Sequence, residues 1–206
     1  MASKLIAIEN KIEQAEKQLK EAIKELREYK KTQKLPTPKI GETIEIMGMK
    51  WIVLDKTENG YFCLAERLKD NMQFDSSCND WKSSDLRNYL NTKFYKKLED
   101  EVGEENIIPF ERNLLSMDGQ TEYGTCEDKV SLITFDEYRK YRALIPNTKY
   151  YSWWTITPDS TKCNGDEVWV RYVSSSGNVD GGDFLSNYGV RPFCIFSSSI
   201  FESEDE

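Results

Sequence analysis

Histidine is absent from all 206 residues. Without it the chain lacks the side chain that titrates near neutral pH, the commonest metal ligand, and the base of any Ser-His or Cys-His nucleophile pair. Cysteine is sparse and odd in number, five in all. No two have the C-x-x-C spacing, so no zinc site or disulfide framework is implied. Cys63 and Cys194 sit inside apolar runs and fit a core, whereas Cys126 and Cys163 lie in polar stretches and could pair. No apolar run is long enough to span a membrane, and the opening "MASKLIAIENK" lacks the apolar centre of a signal peptide. Positive charge is short too, with 28 Lys and Arg against 36 Asp and Glu, a net charge of −8. Binding to a phosphate backbone needs a basic face, so no nucleic-acid partner is expected. Asp118-Gly119 and Gly181-Gly182 are turn signals and not phosphate loops. These shortages predict synthesis in a reducing cytoplasm, no membrane partner, no metal, no cofactor and no enzymatic chemistry.

What the chain has is aromatic residues, 12 % of the total with five Trp and eleven Tyr, enough to build a core. It also has a helix with a seam. Leu5, Ile8, Ile12, Ala15, Leu19, Ala22, Leu26 and Tyr29 are spaced alternately three and four apart, with no Pro or Gly between them. That is an a/d heptad pattern. Glu13 with Lys17, and Glu16 with Lys20, are i,i+4 pairs in the favourable order. So narrow an apolar stripe needs a cover, either the chain's own globular part or another copy. The strict spacing favours another copy, which makes residues 1–34 an oligomerisation helix and the protein a homo-oligomer. Pro36 and Pro38 end the helix and stiffen a connector at 35–39.

The period changes from Ile40. Strands are expected near 42–47, 49–55 and 60–66, the last two joined by a turn at Asn59-Gly60. A helix should run over about 84–101, capped by Ser83 or Ser84, with Leu86, Tyr89, Leu90 and Phe94 on its apolar face. A short extended piece at 106–110, a polar loop, and a strand "VSLIT" follow. Thr134 then caps a second helix. "YYSWWTIT", "EVWVRYVSS" and "GVRPFCIF" read as strands separated by Gly-, Asn-, Asp- and Ser-rich turns. Two helices set between an early hairpin and late antiparallel strands make an α+β domain at 40–199, followed by an acidic tail at 200–206.

The ordered pieces "GMKWIVLD", "WKSSDLRNYLNTKFY", "DKVSLITFDEYRKY", "SWW", "VWVRYVSSSGNVD" and "YGVRPF" span roughly residues 41–197. Together they resemble a family of Firmicutes and phage proteins catalogued as a domain of unknown function. The resemblance implies a C-type-lectin-like fold, shared with formylglycine-generating enzymes and retroelement variable proteins, in which two helices flank a small antiparallel sheet. It also implies a phage or prophage origin. The chain departs from the family pattern after Trp153-Trp154, which continue as Thr155, Ile156, Thr157 and Pro158 where a Leu-Arg-Ser-Pro-like run is usual. The Glu-Pro-Asn and Trp-Asn-Asp tripeptides of calcium-dependent sugar binders are missing.

Candidate ligand contacts come from two places. Neighbours in a strand point to opposite faces, so Trp153 and Trp154 are both core only if both faces are covered. Otherwise one is exposed, with Trp169 and Tyr172 nearby. The segments 159–167 and 174–188 have the Tyr, Ser, Gly and Asn content of paratopes. Asn178, Asp180, Asp183, Asn187 and Tyr188 are the candidates there, against the plainer reading as turns, which already accounts for Gly177, Gly181 and Gly182. Arg191 before Pro192 is expected in a structural ion pair, with Asp55 or a helix carboxylate. The resulting expectation is a non-enzymatic recognition or fibre-type module that binds a protein or glycan through its C-terminal loops, virion-associated in its final location. An intracellular inhibitor of a host defence factor is the alternative.

Overall fold

The computed structural model describes residues 2–202, so most of the expected acidic tail, 203–206, lies outside the described residues. Helix α1 (Ala2–Thr32) is continuous, as the heptad spacing predicts. Its stripe is not covered by the rest of the chain: Leu5, Ile12, Leu19 and Leu26 are each more than half exposed. After α1 the chain meets its own end. Leu35 N–H donates to Ile200 O at 2.8 Å and Glu202 N–H to Leu35 O at 2.8 Å. Ile200 and Phe201, grouped above with the acidic tail, are buried in the core.

The first hairpin joins β1 (Thr43–Ile46) to β2 (Met49–Lys56). Its two turn residues, Met47 and Gly48, have φ of 58° and 66°, the left-handed pair that a tight hairpin needs. β3 (Gly60–Ala65) pairs with β2 across a bulge between Val53 and Asp55. Three of the strands expected from the sequence therefore form within two residues of their predicted bounds. β1 buries one face, through Ile44 and Ile46, whereas β2 and β3 bury side chains on both. Trp51 and Val53 enter one core cluster, and Ile52 and Leu54 enter a second on the opposite side.

Both faces of this sheet are covered by helix. On one side α2 (Asp85–Tyr89) runs through a π turn (Leu90–Phe94) into α3 (Tyr95–Val102), capped by the Ser84 hydroxyl. Leu86, Leu90, Phe94 and Leu98 are all buried. Four residues advance about 400° in an α-helix, so this spacing alone would drift by about 40° per step. The wider π turn sets the drift back and keeps the four side chains on the core. On the other side lies α4 (Phe135–Tyr141), where Thr134 and Glu137 form a reciprocal capping box. Tyr138, Tyr141 and Ile145 fill the second cluster from that side.

The remaining strands sort into three sheets. β10 (Phe193–Ser197) inserts between β3 and β4 (Ile107–Ile108), giving the order β1-β2-β3-β10-β4. β5 (Phe110–Asn113) pairs with β6 (Thr125–Asp128), and β7 (Trp153–Pro158), β8 (Trp169–Val173) and β9 (Val179–Asp183) make an antiparallel trio. Two segments read as loops are thus strands, β6 and β9.

"VSLIT" is not a strand. Only Ser131 bridges, exchanging both backbone bonds with Phe193. Its neighbours are satisfied piecemeal. Asn91 Oδ1 accepts from Lys129 and Val130 N–H, Leu132 O accepts from Arg112, and Ile133 O accepts from Ile156 N–H. A segment threaded between a helix, an arginine and two strands has no single ladder to join.

Candidate functional site

Trp153 and Trp154 are both core: they are 1 % and 0 % exposed. They do point to opposite faces of β7, and both faces are covered. Trp153 packs edge-on against Tyr138 of α4, with the Arg191 guanidinium 4.9 Å from its ring centre. Trp154 packs on Phe74 and Tyr188 and donates its indole N–H to Met72 O at 2.9 Å. Neither can meet a ligand at the surface, and the expectation that one would is corrected.

The other seven candidates are reachable, but they do not form one patch. Residues opposite each other in an antiparallel pair share a face. Trp169, 43 % exposed, faces Asp183 across the β8–β9 ladder, and Tyr172 faces Asp180. Trp169 and Tyr172 are three apart in one strand, so these two pairs lie on opposite faces. Trp169 and Asp183 share their side with Arg171, which is ion-paired with Asp159. On the other side Tyr172 and Tyr188 stack with ring centres 4.4 Å apart, beside the exposed Asp180 and near the exposed Asn187. Burial, then Tyr188 and the Asp180 carboxylate, push the Tyr172 hydroxyl above its usual value. Asn178 is set apart at the hairpin end, where its backbone N–H bonds the Ser174 hydroxyl. Asp183 is already employed: its carboxylate accepts from Leu185 N–H at 2.8 Å and shapes the turn after β9.

The glycines of this block do two different things. Gly177, with φ of 87°, sits in the turn between β8 and β9, as expected. Gly181 and Gly182 are in strand β9, which corrects their reading as turn residues. A Cβ on Gly182 would lie 2.6 Å from the Tyr188 ring and 3.0 Å from that of Tyr172. The residue is a slot that lets the Tyr172–Tyr188–Trp154 stack close over the strand.

Arg191 is buried, but among the described residues no carboxylate pairs with it. Asp55 instead holds Lys140 Nζ at 2.8 Å and the Tyr141 hydroxyl at 2.7 Å. All five cysteines are free, so Cys126 and Cys163 are not paired. Cys63 and Cys194 face each other across β3 and β10, and burial raises both thiols well above their usual range. Burial likewise pushes Cys126 up to about 11. These three thiols stay protonated near neutral pH and are poor nucleophiles.

Nothing in the residue pattern announces the polar network beside the β7–β9 trio. Asn79, fully buried, donates to Ser160 O at 3.1 Å and Trp169 O at 3.0 Å, and accepts from the Tyr123 hydroxyl at 2.7 Å. Asp118 accepts from Ser116, Ser160 and Asn164. Asp128, buried, joins Trp81 Nε1 at 2.8 Å to Arg87 Nε at 2.6 Å. Apart from Ser116 and Asp118, the partners are 40 or more residues apart, and no local spacing encodes them. Among the described residues no group of three or more Cys, Asp and Glu is placed to hold a metal ion, and no helix is long and apolar enough to cross a membrane.

This geometry belongs to a mixed α+β protein with several antiparallel sheets and a long N-terminal helix. Residues 113–198 match a family described as a domain of unknown function, DUF6273. The matched segment runs from the end of β5 to the start of the last 3-10 turn. It contains the stack, the capped helix α4 and Arg191, while the early hairpin and α2–α3 lie before it. Neither a curated protein nor a solved structure matches the chain.

Proposed function

We propose that the protein is a non-enzymatic recognition module, multimerised by α1 and binding a protein or glycan through one face of the β7–β9 trio. The observation that carries this reading is the uncovered stripe of α1. Ile8, Ile12, Leu19 and Leu26 are 48 %, 53 %, 62 % and 55 % exposed on a helix whose apolar positions keep heptad spacing. Helices in proteins gain most of their stability from packing an apolar face, and a second copy of α1 offers a stripe of matching period. Linked copies would raise a weak single-site affinity through avidity.

The ligand face we infer is the Tyr172–Tyr188 stack with Asp180 and Asn187, the side of the trio that presents aromatic rings next to exposed polar groups. A C-type-lectin-like arrangement is consistent with helices on both faces of one antiparallel sheet and with the chain's end returning to Leu35. A recognition or fibre-type role, of the kind the sequence resemblance to phage proteins implies, follows from the same reading.

Sedimentation equilibrium of the full chain tests it. The parent should associate, and Leu19→Glu should shift it to monomer with the thermal midpoint of the domain unchanged. A parent that stays monomeric across the concentration range overturns the reading.

A further inference from the structure

Arg191 and Arg112 are the fully buried arginines among the described residues, and only Arg112 of the two is ion-paired. Arg87, Arg112 and Arg171 each reach a carboxylate. Arg191 is 2 % exposed, yet among the described residues it meets none. Its Nε–H donates to Ala65 O at 2.8 Å, and its Nη1 is buried without a hydrogen-bond partner. Burial without a counter-ion pulls Arg191 down to about 10, only partly offset by Tyr151, Glu66 and Tyr138. Ala65 O and the Trp153 ring, 4.9 Å from the guanidinium, satisfy it in part, but a buried cation without a counter-ion is a costly arrangement for a fold to hold. It is also a preformed demand for an anion.

Arg191 lines a cleft of about 560 Å³ between the β1–β2 hairpin, the segment after β3 and the loop after α4. Arg67 and Lys69 line it too, against one acidic residue, Glu66. A chain of net charge −8 therefore gathers three cations at one concavity. Arg67 is held in place by bonds to Leu68 O and Lys69 O, both 3.0 Å, and stacks on Tyr151 at 4.5 Å. The far wall is braced as well. Asn147 accepts from Arg142 at 2.6 Å and donates to Ser176 O at 2.8 Å. Lys149, with φ of 59°, turns the chain so that Tyr150 stands 92 % exposed between two lining residues, Thr148 and Tyr151.

We propose that this cleft binds the carboxylate of a compact acidic sugar, with Arg191 at its floor and Arg67 and Lys69 at its rim. One buried guanidinium matches one monoanion in charge and offers a planar fork to a planar group. A phosphate dianion is better served by a helix N-terminus or a nest of backbone N–H groups, and neither element lines the cleft. The volume exceeds that of a carboxylate alone. The Thr43 hydroxyl and the Lys69 ammonium suit the sugar's own hydroxyls, as does the Thr148 hydroxyl oxygen, whose proton goes to Tyr151 O. The site is separate from the Tyr172–Tyr188 face, so either can fail without the other.

Calorimetry on the full chain with glucuronate, glucose and inorganic phosphate tests the proposal at matched ionic strength. Glucuronate should bind saturably and raise the thermal midpoint, while glucose should do neither. Lys69→Gln, at an exposed position, should weaken glucuronate by about threefold. Arg191→Lys keeps the charge but loses the fork and should weaken it by about tenfold or more. Glu66→Gln removes the one carboxylate in the cleft and should tighten binding, a readout that survives if the Arg191 variant does not fold. Equal responses to glucuronate and glucose, binding of phosphate but not glucuronate, or a Lys69→Gln variant indistinguishable from the parent would each overturn it.

Discussion

Gly60 and Gly182 are needed for closeness and not for a special φ. A Cβ on Gly60 would strike the backbone oxygen of Phe196, where β3 and β10 run side by side. On Gly182 it would strike aromatic rings, which can shift. Gly119, with φ of 87°, has open space around it. The expected order of destabilisation on replacement by Ala is therefore Gly60 above Gly182. The first should cost about 3 kcal/mol and the second about 1 kcal/mol, read as the fall in urea midpoint. Arg112 and Glu137 make the other residue-scale prediction. Arg112 is 3 % exposed and bonds both Glu137 oxygens, at 2.7 and 2.5 Å, as well as Leu132 O. Glu137→Gln weakens this pair and leaves a buried cation, so it should cost about 3 kcal/mol in urea unfolding. The same change at Glu99, which pairs with the exposed Lys96, should cost under about 0.5 kcal/mol. Of the candidate contacts named from sequence, the exposed polar residues were legible because Asn, Asp and Gly announce turns and surfaces. The burial of Trp153 and Trp154 was not, because which side of a strand is covered depends on α4 and on Phe74, both remote in the chain.

Element by element, local chemistry explains most of the secondary structure. Thr134 caps α4 as expected from the sequence, Glu137 completes the box, and Thr134→Ala should lose about 1 kcal/mol of stability. The hairpin at Met47-Gly48 and the helix from Asp85 are likewise local in origin. β6 and β9 escaped sequence reading for a physical reason. "TCED" and "VDGGD" have little β-propensity and few apolar residues. They become strands because β5 and β8 present free edges to pair with, and Gly182 admits the aromatic stack. "VSLIT" shows the converse: its composition suits a strand, but its backbone partners lie on four different elements.

At the scale of the whole molecule, acid should loosen the fold. Hydrogen bonds from Lys140 and Tyr141 hold the Asp55 carboxyl below its ordinary 3.8. Burial raises Asp75, but bonds from Ser77, Asp85 and Cys78 outweigh it and leave it lowered from the same value. A carboxyl whose folded pKa is depressed adds stability that is present above 3.8 and is lost as pH falls through the lowered folded value. Asp80, raised by burial, works in the opposite sense and blunts the effect. The urea midpoint should therefore stay high near neutrality and fall below about pH 4. Asp75→Asn should flatten that fall, while a profile identical to the parent would sink the assignment.

By itself the amino-acid sequence determined the α+β character, the period and length of α1, the bounds of the first three strands and the caps of both helices. All of these are set by neighbours within a turn or a hairpin. Only the tertiary structure decided that β10 lies between β3 and β4, that both tryptophans of β7 are covered, that Asp55 answers Lys140 and not Arg191, and that Arg191 is left facing a cleft without a counter-ion. Those outcomes depend on which distant surfaces meet, and burial turns a side chain's charge or shape into a demand that only its three-dimensional neighbours can meet or leave open.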